Sequence, residues 1–202
     1  MNKEDYKFQF DFWTNTLGLS HKLPFEDVWR LTQEYEAKKL EKLNKERWNK
    51  NLAELNDNYP SKAEFREMIV RVEERIKSSS KGLTGAKLNR VNPLKHRFGD
   101  NLYIREIFNP KGELLVTKIH KTTHPFFLMK GEMTIFDENK AVRIKAPFHG
   151  ITNPGTKRII YTHKDCIFIT VHSTKSKDLR KIENNIISKN YEIHAEKIKE
   201  AV

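Results

Sequence analysis

Only one cysteine, Cys166, occurs in the chain, which excludes an intramolecular disulfide and a cysteine-rich zinc site. Its setting in Asp165-Cys166-Ile167-Phe168-Ile169 reads as a strand, so a buried structural thiol is expected rather than a nucleophile. No apolar run approaches the ~20 residues needed to span a bilayer, so no membrane partner is expected. The first residues, Met1-Asn2-Lys3-Glu4-Asp5-Tyr6, lack the basic-then-apolar pattern of a secretory signal. A cytoplasmic location follows as the expectation, the host cytoplasm if the protein is viral. A glycine-rich phosphate loop, a Ser-His-Asp series and a paired-carboxylate signature are missing too, so no motif points to those enzyme classes.

What remains is a polar chain with a core: 37% hydrophobic and 32% charged residues in 202 positions, enough for one good-sized domain or a domain with an appendage. The net charge of +11 is unevenly placed. Residues 1–80 carry 15 Lys/Arg and 15 Asp/Glu, whereas 81–202 carry 23 against 12. A basic half can attract nucleic acid, nucleotides or an acidic partner. The excess is scattered, however, with 27 lysines to 11 arginines, which fits a compositional bias better than a nucleic-acid footprint.

Residues 1–80 read as a helical N-terminal region. Pro24 stands at a first-turn position, followed by Glu26 and Asp27, where acidic groups suit the helix dipole. Val28, Leu31, Tyr35, Leu40, Leu43 and Trp48 recur at helical spacing. Asn56-Asp57-Asn58-Tyr59-Pro60 breaks this helix. Ser61 then caps another, with Glu64 completing a capping box. Phe65, Met68, Ile69, Val72 and Ile76 form its apolar stripe, and a helical hairpin is expected. Trp13, Trp29 and Trp48 read as packing anchors. Ser78-Ser79-Ser80-Lys81-Gly82 reads as a linker, and 81–101, with Lys87, Arg90, Lys95 and Arg97, as a basic irregular stretch.

From Leu102 to Ser173 the period falls to two. Strands are predicted over 102–108, 113–121, 126–136, 141–146, 158–162 and 166–172, separated by turn residues. Short strands without intervening helical patterns argue for an antiparallel sandwich or barrel over 102–173. The tail, 176–202, returns to helical spacing at Leu179, Ile182, Ile186 and Ile187.

Chemistry concentrates in Lys118-Ile119-His120-Lys121-Thr122-Thr123-His124, ahead of Pro125-Phe126-Phe127-Leu128-Met129-Lys130-Gly131. Lys118 and His120, two apart on a strand, would share a face, and His124 can bring a second imidazole beside His120. His149 or His172 could supply a third nitrogen, and three imidazoles with an open position suit a divalent transition metal. Alternatively, Lys118, His120, His124 and Arg158 would form a cationic pocket for a phosphate or carboxylate, with no metal. His21, His96, His163 and His194 are expected at the surface.

The spacing of this segment resembles the first motif of the cupin superfamily. With Gly131 on the family glycine, His124 takes the glutamate position, His120 the second histidine and Lys118 the first. In Ala146-Pro147-Phe148-His149-Gly150-Ile151-Thr152, Thr152 falls where the second motif places a histidine, and His149 lies three residues early. The His-x3-His-Pro-Phe and Pro-Gly-Thr-x-Arg wording is also similar to cupin-like proteins of bacteriophages that carry no defined activity. The resemblance implies a pocket inside a barrel and dimerisation through sheet faces.

The expected architecture is therefore α+β: an antiparallel cupin-like β-barrel, or jelly roll, with an N-terminal helical hairpin and a C-terminal helix. The expected function is binding or an accessory role. A cationic pocket (Lys118, His120, His124, Arg158) would take a small anionic ligand such as a nucleotide, in a homo-oligomer. Two alternatives stand beside it. One is a metal-dependent enzyme using His120 and His124, with His149 as a further ligand. The other is a structural or assembly protein acting through its N-terminal helices.

Overall fold

The capping box at Ser61 shows how local sequence sets the helical boundaries. Ser61 Oγ accepts from the Glu64 N–H, while the Glu64 carboxylate accepts from the Ser61 N–H at 2.9 Å. The computed structural model describes residues 2–11, 24–188 and 191. Trp13, His21, His194 and most of the tail beyond Ser188 lie outside them. The chain divides into two units, Met1–Ala53 and Glu54–Val202.

In the first unit, α1 (Lys3–Asp11) lies against the start of α2 (Phe25–Asp57). The Tyr6 ring tilts on Trp29 at 5.2 Å, and its hydroxyl shares a hydrogen bond with Thr32 Oγ1 at 3.0 Å. Over its 33 residues α2 buries no side chain and exposes Leu31, Tyr35, Leu40 and Leu43. The two helices expected as a hairpin thus fall largely in different units.

Among the described residues the second unit holds α3 (Lys62–Ser78), α4 (Gly85–Val91), eleven short strands and α5 (Leu179–Ile186). One antiparallel sheet has the order β1-β2-β10-β5-β8. It comprises β1 (Leu94–Gly99), β2 (Leu102–Asn109), β10 (Cys166–Ser173), β5 (His124–Lys130) and β8 (Phe148–Thr152). The second has the order β3-β9-β6-β7, from β3 (Leu114–Val116), β9 (Ile159–Thr162), β6 (Glu132–Phe136) and β7 (Ala141–Lys145). A short ladder joins β4 (Ile119–His120) to β11 (Ile187–Ser188). Phe126, Leu128 and Cys166 from the first sheet and Met133, Ile135, Ile144 and Ile160 from the second share one buried core. Phe65 and Ile69 of α3, fully buried, pack on Ile159 with Val116 and Phe136 alongside. That burial makes α3 part of the sheet unit rather than of a separate region ending at residue 80. The observed class is α+β with antiparallel sheets.

Three expectations change. The 81–101 stretch is not irregular: α4 and β1 occupy it. β1 is an edge strand whose exposed Lys95 and Arg97 both pair with Glu106 across the ladder, at 3.0 and 3.3 Å, so its charges mask a strand pattern. The 113–121 strand is split into β3 and β4 at Thr117–Lys118. Within the tail expected as helix over 176–202, Leu179–Ile186 is helical and Ile187–Ser188 is extended as β11, and most of the rest lies outside the described residues.

Gly131 joins β5 to β6 between the two sheets at φ +93°, and an added Cβ would collide with the Asp165 carbonyl oxygen and lie 2.6 Å from Cys166 Sγ. One obstacle is backbone and the other belongs to Cys166 in the buried core, so neither can swing away. Gly131→Ala is expected to destabilise the protein by about 3 kcal/mol or more, read as a lowered denaturation midpoint at unchanged slope.

Candidate metal centre

Three histidines arrive from three strands. His120 ends β4, where its carbonyl accepts from the Gly155 N–H at 2.8 Å and its neighbour in the ladder is Ile187. His124 opens β5 opposite Thr152, and His172 lies near the end of β10 opposite Tyr103. Their ring centroids are 4.3 Å (120–124), 4.2 Å (124–172) and 5.9 Å (120–172) apart. His124 is therefore the middle member. One ligand atom from each lies within 4.8 Å of the others. His124 and His172 are each 2% exposed.

The electrostatics favour three neutral rings. Burial, then the neighbouring histidines and arginines, lowers His120 to about 3. Burial, His124 and Arg105 lower His172 to about 4. His124 is also lowered, chiefly by burial, against a raising hydrogen bond to Thr122. That bond, Nδ1–H to the Thr122 carbonyl at 3.1 Å, sets the tautomer, because a carbonyl only accepts. Nε2 of His124 therefore carries a lone pair. The Nδ1 atoms of His120 and His172 are buried without any hydrogen-bond partner. Orphaned nitrogens of this kind are costly in a dry site, and a Lewis acid would satisfy them. Among the described residues no carboxylate joins the cluster. The residues present therefore fit a metal held by three imidazoles.

Arg158 flanks the cluster. Its Nη1–H donates to Thr152 Oγ1 at 2.7 Å, and the guanidinium lies 5.0 Å over the Phe126 ring. Phe126 fits there because Gly150 has no side chain, a Cβ being only 2.7 Å from the ring. Thr117 Oγ1 accepts from the Arg158 N–H at 2.9 Å and fixes the backbone on the far side.

Of the residues expected from sequence, His120, His124 and Arg158 meet in this pocket, and Lys118 and His149 do not. The break at Thr117–Lys118 removes the strand alternation that would place Lys118 beside His120; its ammonium is exposed and pairs with Glu183. His149 faces Phe127 across the β5–β8 ladder, one residue out of phase with the inward Gly150–Phe126 and Thr152–His124 pairs. It is exposed on the opposite side of the sheet. Its place is taken by His172, whose phase with Phe168 and Thr170 was readable from the strand. Arg105 was missed; it lies two residues from Tyr103 on the same face of β2, and its charge depresses both His120 and His172. His96 is exposed as expected, bonding Tyr103 Oη through Nδ1 at 2.7 Å. Cys166 is fully buried, its thiol donating to the Lys164 carbonyl at 3.0 Å, and burial raises its pKa.

The fold and site together define an α+β protein with two antiparallel sheets and a three-histidine cluster beside a half-buried arginine. Solved structures similar to this chain include cupin-domain proteins. One is an RmlC-like cupin family protein with a double-stranded β-helix fold from Methanocaldococcus jannaschii, at 19% identity and TM-score 0.36, covering 41% of this chain and 80% of that one. Another is the Cnp3 cupin domain of Schizosaccharomyces pombe, at 16% and 0.35, covering 48% and 72%. A third is a cupin-2 domain containing protein from Shewanella frigidimarina, at 11% and 0.34, covering 39% and 79%. No family model matches the chain, and no curated protein matches it. Among the described residues no helix is long and apolar enough to cross a membrane.

Proposed function

We propose that this protein is a cupin-like metal-binding protein in which His120, His124 and His172 hold one divalent transition-metal ion with a coordination position left open. The observation that carries the reading is the convergence of three imidazoles from three separate strands, two buried and one half-buried, two of them with an orphaned Nδ1. Tetrahedral zinc with bonds of about 2.0–2.1 Å needs nitrogens roughly 3.4 Å apart, within reach of small side-chain rotations from the present spacing. Imidazole donors suit zinc, iron, nickel or copper, and the all-nitrogen set differs from the two-histidine, one-carboxylate triad of iron oxygenases. The four-residue anion pocket expected from sequence loses Lys118, so the metal reading now leads.

Elemental analysis of protein purified without an affinity tag tests this. Close to one equivalent of a transition metal per chain is expected, and less than about a tenth of an equivalent after growth in metal-replete medium would sink the reading. An accessory role for the helices is favoured separately by the exposed apolar side chains of α2. That role predicts loss of self-association when Leu31, Tyr35, Leu40 and Leu43 are replaced together by polar residues.

A further inference from the structure

Arg158 forms no ion pair among the described residues, and Asp137 acts on it only through its longer-range field. Its Nη1 is committed to Thr152, but its Nε is buried with no partner, and among the described residues no carboxylate pairs with it. The Nε–H and Nη2–H groups of a guanidinium are parallel and coplanar, and together they match the two oxygens of a carboxylate. The Phe126 ring beneath and Thr152 at Nη1 hold the plane of that fork.

A metal ion on the three histidines would add positive charge to a space already charged by Arg158 and, more distantly, Arg105. Like charges in a desolvated site repel strongly. An anion lying between them turns the repulsion into two attractions and meets the unsatisfied Nε at the same time.

The geometry points to a small carboxylate as the ligand of this pocket, bound to the open position of the metal and gripped by the Nε/Nη2 edge of Arg158. The assignment rests on the metal reading above and adds the ligand class to it. A carboxylate fits better than a phosphate because one two-donor edge is free, which a planar anion fills, whereas a tetrahedral anion calls for further donors.

Cobalt(II)-loaded protein provides the test, since its visible d–d bands report the open coordination position. Acetate is titrated against acetamide, which has nearly the same shape without the charge, and against inorganic phosphate. Acetate is expected to shift the bands with saturation while acetamide does not, and phosphate is expected to bind more weakly. Arg158→Gln should take up cobalt to the same stoichiometry and weaken acetate binding by about tenfold or more. Arg158→Lys keeps the charge without the fork. It should show the same weakening, and it replaces the glutamine variant if that one does not fold.

Cobalt uptake with no acetate response, equal responses to acetate and acetamide, or tighter phosphate binding would each overturn the carboxylate assignment and leave the metal reading standing. Acetate binding untouched in both Arg158 variants would overturn it too. Failure of the native sequence to take up cobalt at all removes the metal reading and this inference together.

Discussion

Replacing His124 by alanine is expected to abolish stoichiometric metal binding, lowering affinity by at least about 100-fold, while the sheets remain folded. Loss of an outer-shell partner already costs about 10–100-fold, and a lost ligand removes a bond outright. His124 is the sharpest choice for two reasons. Its ring sits between the other two, at 4.3 and 4.2 Å, so without it His120 and His172 are left 5.9 Å apart. Its tautomer is also preset by the Thr122 carbonyl, leaving Nε2 as an acceptor before any ion arrives. The backbone of β5 pairs with β10 and β8 through several further residues, so the strand does not depend on this side chain. The cavity left behind costs some stability, and His124→Gln offers a control with less lost volume. A competition titration against a chromophoric chelator reads the affinity, and near-ultraviolet circular dichroism reads the fold. Unchanged affinity in both variants would remove His124 from the site.

The parts of this molecule legible from sequence are those in which a local rule and the tertiary structure agree. The Ser61–Glu64 box stops and starts helices by hydrogen bonds only three residues apart, and the structure repeats it. His120 and His124 were found because they lead into an apolar strand, and Gly131, placed by the motif spacing, takes a positive φ where packing leaves no room for a Cβ. What sequence concealed depended on non-local facts. Lys118 leaves the pocket because β3 and β4 are separate strands with different partners, β9 and β11, which no alternation pattern contains. His149 and His172 could not be ranked until the β5–β8 and β2–β10 registers gave each an inside or an outside. β1 was hidden by its own charges, which are tolerable only because Glu106 lies on the adjacent strand. Nor does anything near Arg105 in the sequence show that β2 turns its inner face toward the histidines.

Metal-free protein is expected to lose stability steeply between pH 7 and pH 5. The sign follows from the folded-state histidines, which are held neutral by burial. His172 is lowered to about 4 and His120 to about 3, with His124 lowered as well. An unfolded chain takes up these protons near pH 6.5. The neutral rings therefore cost nothing above that value, and stability falls as the pH drops below it, because the unfolded state binds more protons. The loss continues until the folded rings themselves titrate, near pH 4 for His172 and lower for His120. At pH 5 a ring such as His172 accounts for about 2 kcal/mol relative to pH 7, and His120 for a similar amount. Against the 5–15 kcal/mol of a typical domain, two such penalties are a large fraction. Paired carboxylates such as Glu73, Glu106 and Glu183 are lowered by their lysine and arginine partners, so their contribution is lost at still lower pH, outside this window. Rising net charge adds a general repulsion, and a variant separates the two effects. His172→Gln removes one titrating ring but leaves the remaining charge in place, so its stability should fall by about 2 kcal/mol less between pH 7 and pH 5. Denaturant unfolding of chelator-treated protein at the two pH values measures both quantities. Equal pH dependence in the native sequence and in His172→Gln would show that His172 is not held neutral in the fold. A saturating transition metal should raise stability across this window without changing its slope, because the folded rings carry no proton there with or without the ion.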